Sequence, residues 1–446
     1  MCIILMESCD KMEKLIELES NKYEEYVKNH KYKSHFLQSY YWGEFSKSKK
    51  NLTPYYLGLV DEKNNILGAC LLLQKKLPLG YSYMYSPRGF VIDYNDSKLI
   101  SIMTKNVVEF SKKKKAIFVK IDPDIIKEKH NYNDELIPLS YDINKIFNDL
   151  KKAGFKHLGF TKNFETMQPR YSFRIDMNQS LEEIESHFSK TTKQRINKAI
   201  KIGTDVEIGT IDDIDEFYHL MTLTENRKDF VSYKKDYYEK LFEIFDKQGM
   251  VKLFLGKINT NKIISNLKNN LDEIKNKINE FDTENLSKSS KNKLNELNKN
   301  KENLEKEIKK YSEAKSEYGD IITINAHMII FYGDKAWVLY AGNHNILTES
   351  YANYNTYYEH IKYSYEHGVK IYDQFGTIGD LRKDNPRIGL HEFKKKFGGD
   401  YVEFLGEFDY IINRPMYIVF TKLVPLYRKI IKNKGKKELK QETNLG

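Results

Sequence analysis

Two strings decide the fold: Lys252-Leu253-Phe254-Leu255-Gly256-Lys257-Ile258 and Asp320-Ile321-Ile322-Thr323-Ile324-Asn325-Ala326-His327-Met328-Ile329-Ile330-Phe331-Tyr332. Both are dense in Ile, Leu and Phe, so both read as strands. Between them, Ile263 to Tyr318 turns to Lys, Glu, Asn and Leu, with no Gly, no Pro and one Ala. Leu267, Leu271, Ile274, Ile278 and Phe281 are spaced four, three, four and three apart, a heptad seam. A second seam runs through Leu294, Leu297, Leu304, Ile308 and Tyr311. Asp282 to Lys291, rich in Ser and without a long apolar face, predicts a reversal. The result is an antiparallel helical hairpin whose arms, roughly 19 residues each, extend about 28 Å. It stands where a β-turn would join the two strands, so it is an insertion into a domain. A spacer, a nucleic-acid-contacting arm and a dimerisation element all remain open for it.

Outward from this insertion, helices and strands alternate. Tyr55 to Val60, Ile66 to Gln74 and Ala116 to Ile121 read as strands, and Lys98 to Lys113 and Ile143 to Ala153 as helices. The same grammar resumes near Gln168 and runs to about residue 425, which gives an α/β or α+β class. A chain of 446 residues calls for more than one core. With 40% hydrophobic and 13% aromatic residues the composition is that of a globular protein.

The formal net charge of +10 favours polyanionic partners, whether phosphates, RNA or an anionic membrane surface. Cys2, Cys9 and Cys70 fit neither a disulfide framework nor a zinc ribbon, which predicts a reducing, cytoplasmic setting. The apolar opening Met1 to Met6 is too short for a signal peptide, and no uncharged run is long enough to span a bilayer. The 11 histidines show no His-x-x-x-His pair, and there is no Gly-x-Ser-x-Gly, so metal and serine-hydrolase readings are poor.

Several pieces carry a resemblance. Gln38-Ser39-Tyr40-Tyr41-Trp42-Gly43-Glu44, then Tyr85-Ser86-Pro87-Arg88-Gly89-Phe90-Val91-Ile92-Asp93, then Lys120-Ile121-Asp122-Pro123 stand in the first half. Gly389-Leu390-His391-Glu392-Phe393-Lys394-Lys395-Lys396-Phe397-Gly398-Gly399 and Phe404-Leu405-Gly406-Glu407-Phe408-Asp409 follow near the end. In this order, and with an inserted arm, they resemble the Fem family of peptidoglycan-bridge aminoacyltransferases over residues 35 to 425. Phe90 stands where the family usually has a second proline.

The resemblance implies two GNAT-like acyltransferase domains with an antiparallel coiled-coil hairpin inserted in the second. Its boundaries would be 7–165 for the first domain, 166–262 and 319–428 for the second, 263–318 for the hairpin and 429–446 for a basic tail. It implies transfer of Gly, Ala or Ser from aminoacyl-tRNA to the stem-peptide amine of a lipid-linked or UDP-linked precursor, with no metal and no diffusible cofactor. Lys394 matches the position that engages the aminoacyl end, and Phe393 is placed to stack on a terminal base. Asp122 would accept the hydrogen bond of the incoming ammonium or position it, as a carboxylate presenting an amine nucleophile does. Arg88 belongs to the substrate side. Lys47, Lys193 and Arg195 are the cations offered to the precursor's pyrophosphate, although Ser46 stands at the family's lysine position and Lys193 at its arginine position. Arg227, Tyr237 and Tyr238 match a patch around the sugar-peptide.

Each of these residues has a plainer reading: a core aromatic, a solvated charge, or, for Asp122 before Pro123, a turn former. Tyr417 to Lys437 presents Val419, Phe420, Leu423, Leu426, Ile430 and Ile431 before clustered lysines, so it reads as a domain-packing helix or as a peripheral contact with the inner membrane face. An acyl-CoA-dependent N-acyltransferase is the alternative, against which stands the lack of an Arg/Gln-x-x-Gly-x-Gly/Ala loop. A non-catalytic RNA-binding protein is another, against which stand Fem-like elements in both halves.

Overall fold

The computed structural model describes residues 13–31, 35–228, 232–281 and 287–424, apart from the side chains of 227 and 228. The strands are β1 (Lys14–Glu17), β2 (Leu52–Val60), β3 (Ile66–Lys76), β4 (Ser82–Ser86), β5 (Ala116–Ile121), β6 (Ile126–His130), β7 (Phe155–His157), β8 (Tyr171–Asp176), β9 (Thr204–Gly209), β10 (Val251–Asn259), β11 (Ile321–Tyr332), β12 (Lys335–Asn343), β13 (Ile371–Asp373), β14 (Asp400–Phe404) and β15 (Phe408–Ile411). The helices are α1 (Ser20–Asn29), α2 (Tyr40–Lys47), α3 (Ser97–Lys113), α4 (Ile143–Lys152), α5 (Leu181–Ser186), α6 (Lys190–Ile202), α7 (Ile214–Lys228), α8 (Lys235–Asp246), α9 (Thr260–Asn279), α10 (Lys288–Tyr318), α11 (Ala352–Glu366), α12 (Ile388–Lys395) and α13 (Arg414–Ile418). The chain is mixed α/β, as its alternation of helical and strand patterns predicts.

It divides into two compact units, and the division does not follow chain order. The first takes Met1–Asn178, Phe331–Lys335 and Ile371–Gly446; the second takes Gln179–Ile330 and Ala336–Lys370.

The first unit is built on a seven-stranded sheet in the order β1-β2-β3-β4-β5-β15-β7. Its neighbours are antiparallel except β4 and β5, which run parallel because α3 makes the crossover between them. Asp96 starts α3 by accepting from the amides of Lys98 and Leu99. Ile100, Met103, Val107 and Val108 recur at helical spacing and are buried with Met84, Val119, Ile121 and Phe408 of the sheet. Four further strands of this unit lie in the order β6-β14-β8-β13, with β14 antiparallel to both its neighbours and β13 antiparallel to β8. Phe408 to Ile411 returns late in the chain to fill the slot between β5 and β7.

The second unit holds the strands β12-β11-β10-β9. β10 and β11 are antiparallel partners with Asn259 opposite Ile321, so α9 and α10 do emerge from what would be a hairpin turn. Asn259 and Ser287 cap the two helices through their side-chain oxygens. At the base, Ile263, Leu267, Tyr311 and Ala314 are buried together with Ile258, Ile322 and Ile324. Farther out, Ile274, Ile278, Leu294, Leu297 and Leu304 are half-buried.

The second arm corrects the expected length: α10 has 31 residues, about 46 Å, because the helix runs past the seam at both ends, from Lys288 before Leu294 to Tyr318 after Tyr311. Residues 282–286 of the expected reversal lie outside the described residues.

At the C-terminus, Tyr417 is buried, donates to Asp409 Oδ2 at 2.8 Å and packs edge-on against Phe118, so this segment begins as part of the first unit's packing. Leu426, Ile430, Ile431 and the basic tail lie outside the described residues. Among the described residues no helix is long and apolar enough to cross a membrane.

Candidate functional site

In the first unit, Asp122 and Lys394 are the two ends of one buried polar chain. β5 ends at Ile121 and delivers Asp122, whose Oδ1 accepts from the Arg88 amide at 2.7 Å and whose Oδ2 accepts from the Tyr85 hydroxyl at 3.0 Å. Arg88 offers that amide because the turn after β4 puts it in the left-handed region, with φ 58°. Asp122 is 3% exposed, and burial pushes its carboxyl up to about 7 against the opposing pull of Arg88. The Arg88 carbonyl accepts from the Asp124 amide at 3.2 Å.

Asp124 Oδ1 then receives Arg174 Nη2 at 2.8 Å, and Arg174 Nε reaches Asp373 Oδ2 at 2.7 Å. The three side chains are 4%, 13% and 3% exposed, so this is one guanidinium shared by two buried carboxylates. Arg174 also lies 4.7 Å over the Phe404 ring, with Arg88 4.8 Å from the same ring.

Asp373 Oδ1 accepts from the Phe375 amide at 2.8 Å and from the Ser172 hydroxyl. It thereby anchors a turn in which Phe375 and Gly376 both have positive φ, 49° and 43°. That conformation strains a phenylalanine, and Lys394 holds it in place. Lys394 lies one turn after His391 on the buried side of α12, and its Nζ donates to the carbonyls of Gln374 at 2.7 Å, of Phe375 and of Gly376 at 2.8 Å. All three ammonium protons are thus committed to backbone. Burial draws this ammonium down to about 7, while Asp373 works the other way. The Gln374 side chain is fully buried, and neither its Oε1 nor its Nε2 has a hydrogen-bond partner among the described residues.

The remaining expected residues stand elsewhere. Phe393 is half-buried beside Phe397, with ring centroids 5.3 Å apart. Lys47 is on the surface, its side chain 65% exposed and 3.7 Å from Glu44. The cation that faces inward is Lys49. It lies 4.7 Å from the Phe45 ring and 5.3 Å from the Trp42 ring, and with Ser46, Tyr83, Tyr85 and Gln168 it lines a narrow cleft. Burial lowers its ammonium to about 8.

Lys193, Arg195, Tyr237 and Tyr238 belong to the second unit. Lys193 is exposed and donates to the Ser186 carbonyl that ends α5, at 3.1 Å. Arg195 stacks on Tyr351 and Tyr354, 5.2 and 5.0 Å from their centroids, and bonds the Tyr354 hydroxyl. Tyr238 is a core residue, fully buried. Tyr237 stacks on Tyr233 at 3.8 Å and shares a 2.8 Å hydrogen bond with Tyr340. The Arg227 side chain lies outside the described residues. Among those described, no group of three or more His, Cys, Asp or Glu is placed to hold a metal ion.

Sequence reasoning passed over Asp124, Arg174, Asp373 and Gln374. The available signal was chemical: an acid or an Arg inside a strand otherwise made of buried residues, as in Tyr171-Ser172-Phe173-Arg174 and Ile371-Tyr372-Asp373, needs a partner.

The whole chain has known counterparts. Residues 18–424 match the model of the FemAB family. The chain is 30% identical over 424 residues, 93% of its own length and 96% of the relative's, to a lipid II:glycine glycyltransferase of Staphylococcus aureus. A crystal structure of FemX superposes with a TM-score of 0.73 at 27% identity, covering 91% of this chain and 99% of that one. A match of this extent leaves no large segment of either fold unaccounted for, and on it the chain belongs to the FemAB family.

Proposed function

We propose that this FemAB-family aminoacyltransferase moves glycine from glycyl-tRNA onto the stem-peptide amine of lipid II, the first step of an interpeptide bridge. The observation that carries this is likeness from end to end: similarity to the lipid II:glycine glycyltransferase runs over 93% of this chain, so both halves of the fold are retained together. The reading includes two GNAT-like lobes, α9 and α10 as an antiparallel coiled-coil arm, no cofactor, and work at the cytoplasmic face of the membrane.

The ester of an aminoacyl-tRNA is already activated, so the chemistry is attack by a neutral amine, an oxyanion, and departure of the ribose hydroxyl. Asp122, with its carboxyl near 7, is matched to taking a proton from the attacking amine nitrogen and passing it to the leaving oxygen, the extra proton of the ammonium form having gone to water before attack. The Gln374 amide supplies a donor for the oxyanion. Lys394 acts as a positioning residue: it fixes the 374–376 turn that presents Gln374.

The test is transfer by the purified chain from charged tRNA to lipid II, read as a mass gain of one residue. Gain with glycyl-tRNA and not with alanyl- or seryl-tRNA is the expected result; no gain with any of the three overturns the reading.

A further inference from the structure

One end of the seven-stranded sheet gathers positive charge. There β2, β4 and β5 begin and β3 and β15 end: Leu52 pairs with Lys75, Lys76 with Ser82, and Ser82 with Ala116. Lys76 N donates to Asn51 O at 3.0 Å, Ser82 N to Lys115 O at 3.1 Å and Ile412 N to Ile117 O at 2.9 Å, which ties the segments together. Residues 50–52, 75–82, 112–117 and 411–424 carry Lys50, Lys75–Lys76, Lys112–Lys115, Arg414 and Lys422, and not one Asp or Glu. Of the acids beside these segments, Glu109 is held by Lys112 at 2.7 Å, and Asp409 is buried, paired with Lys120 at 2.9 Å and bonded by Tyr417. Tyr81, Lys112, Lys115 and Arg414 line an open groove of about 450 Å³ at this end.

Apolar side chains stand among these charges. Leu79, at the tip of the turn between β3 and β4, is 89% exposed and has φ 62°. A left-handed position favours Gly or Asn, so a leucine here strains the backbone and recovers no burial from the folded chain. Ile418 and Leu423 are 44% and 53% exposed, on a segment that packs against β4 and β5 through Phe420 on Tyr83 and Phe118.

We propose that this end of the first unit docks on an anionic phospholipid membrane, with the lysines against the headgroups and Leu79 entering the apolar boundary. Aliphatic residues among lysines suit a bilayer; a single-stranded RNA surface is built from aromatic faces and Arg. The placement deepens the proposed function and rests on its lipid-linked acceptor. Asp122 and Arg88 follow the opposite ends of β5 and β4, about 16 Å away along β4. Lys49, Tyr83 and Tyr85 line one narrow cleft, and Tyr85 is bonded to Asp122.

The experiment is co-sedimentation of the full chain with phosphatidylcholine vesicles, with and without phosphatidylglycerol. Binding to the anionic vesicles alone, weakening as salt is raised, is expected. Lys76→Gln with Lys113→Gln lowers partitioning roughly 25-fold, about fivefold per lysine. Leu79→Ser lowers it about tenfold. Both variants keep wild-type transfer to a water-soluble, nucleotide-linked acceptor if the chain uses one, and lose transfer to acceptor embedded in vesicles. Unchanged partitioning of both variants overturns the proposal, as does loss of tRNA affinity with vesicle binding intact, which makes the patch an RNA surface. If the transfer reading itself is wrong, no acceptor is modified, yet the partitioning differences persist.

Discussion

The polar chain from Asp122 to Lys394 and the tyrosine cluster around Tyr237 were both expected to meet substrate, and their energetics differ. In the first, every charge is buried and nearly every donor is spent: Arg174 serves two carboxylates and Lys394 three carbonyls. In the second, Tyr237 carries no charge: it is half-buried, stacks on Tyr233 and shares a hydroxyl–hydroxyl bond with Tyr340. Removing one partner from a buried ion-pair network strands charges, whereas removing the Tyr237 hydroxyl leaves one neutral hydroxyl, that of Tyr340, without this bond. The difference is therefore one of mutational cost, and it can be measured.

Arg174→Met is expected to have the largest effect. It removes the guanidinium that bonds both Asp124 and Asp373 and leaves those bonds unmade in a buried site, which costs about 3–5 kcal/mol in urea unfolding; a loss under about 1 kcal/mol breaks the contrast. Lys394→Met comes next, because three carbonyls lose their donor and the turn at Phe375 loses its clamp. A stability loss of about 2–3 kcal/mol is expected, with transfer falling well beyond what the folded fraction explains. An active variant with a normal melt removes Lys394 from the site.

Asp122→Asn is smaller in stability and specific in pH. The folded carboxyl sits near 7, above its usual 3.8, so the native state holds this proton more tightly than the unfolded chain. That contribution to stability is complete below pH about 4 and fades as pH rises through about 7, while the reactive carboxylate grows over the same window. Wild-type transfer should rise through pH about 7, and the variant should be slower by about 100-fold with that limb gone. An unchanged profile assigns the limb to another group. Tyr237→Phe is the smallest: about 0.5–1 kcal/mol by thermal melt, from the bond to Tyr340. A larger loss would mean that the aromatic cluster is as tightly coupled as the charged one.

Much of the fold was legible. The Ile-rich and Leu-rich strings became β2, β3, β5, β10 and β11, and the interruption after Ile258 became two helices, because periodicity reports which face of an element is buried before any partner is known. The length of α10 was not, since Lys288 to Lys293 and Ser312 to Tyr318 lie outside the seam, the first helical through the cap at Ser287 and both through chain continuity. Motif position singled out Asp122 and Lys394, which the fold joins through one buried polar chain, and it offered Lys47 beside Ser46 as a phosphate-binding cation, whereas the lysine that lines the cleft is Lys49. Two positions of offset at a helix end decide which lysine points out to Glu44 and which lies over Trp42.

The sequence by itself determined the class of the chain, its insertion, and the family to which its motifs belong, because those rest on local pattern and order. Only the tertiary structure decided that Asp124, Arg174 and Asp373 form one ion-pair chain, that Lys394 spends its protons on a strained turn, and that four separated lysine-bearing segments share one end of a sheet. Each joins residues from distant parts of the chain, in the case of Arg174 and Asp373 199 positions apart. The reason is physical: burial strengthens a polar contact and makes an unmet one costly, and burial is fixed by the packing of elements that no local pattern records.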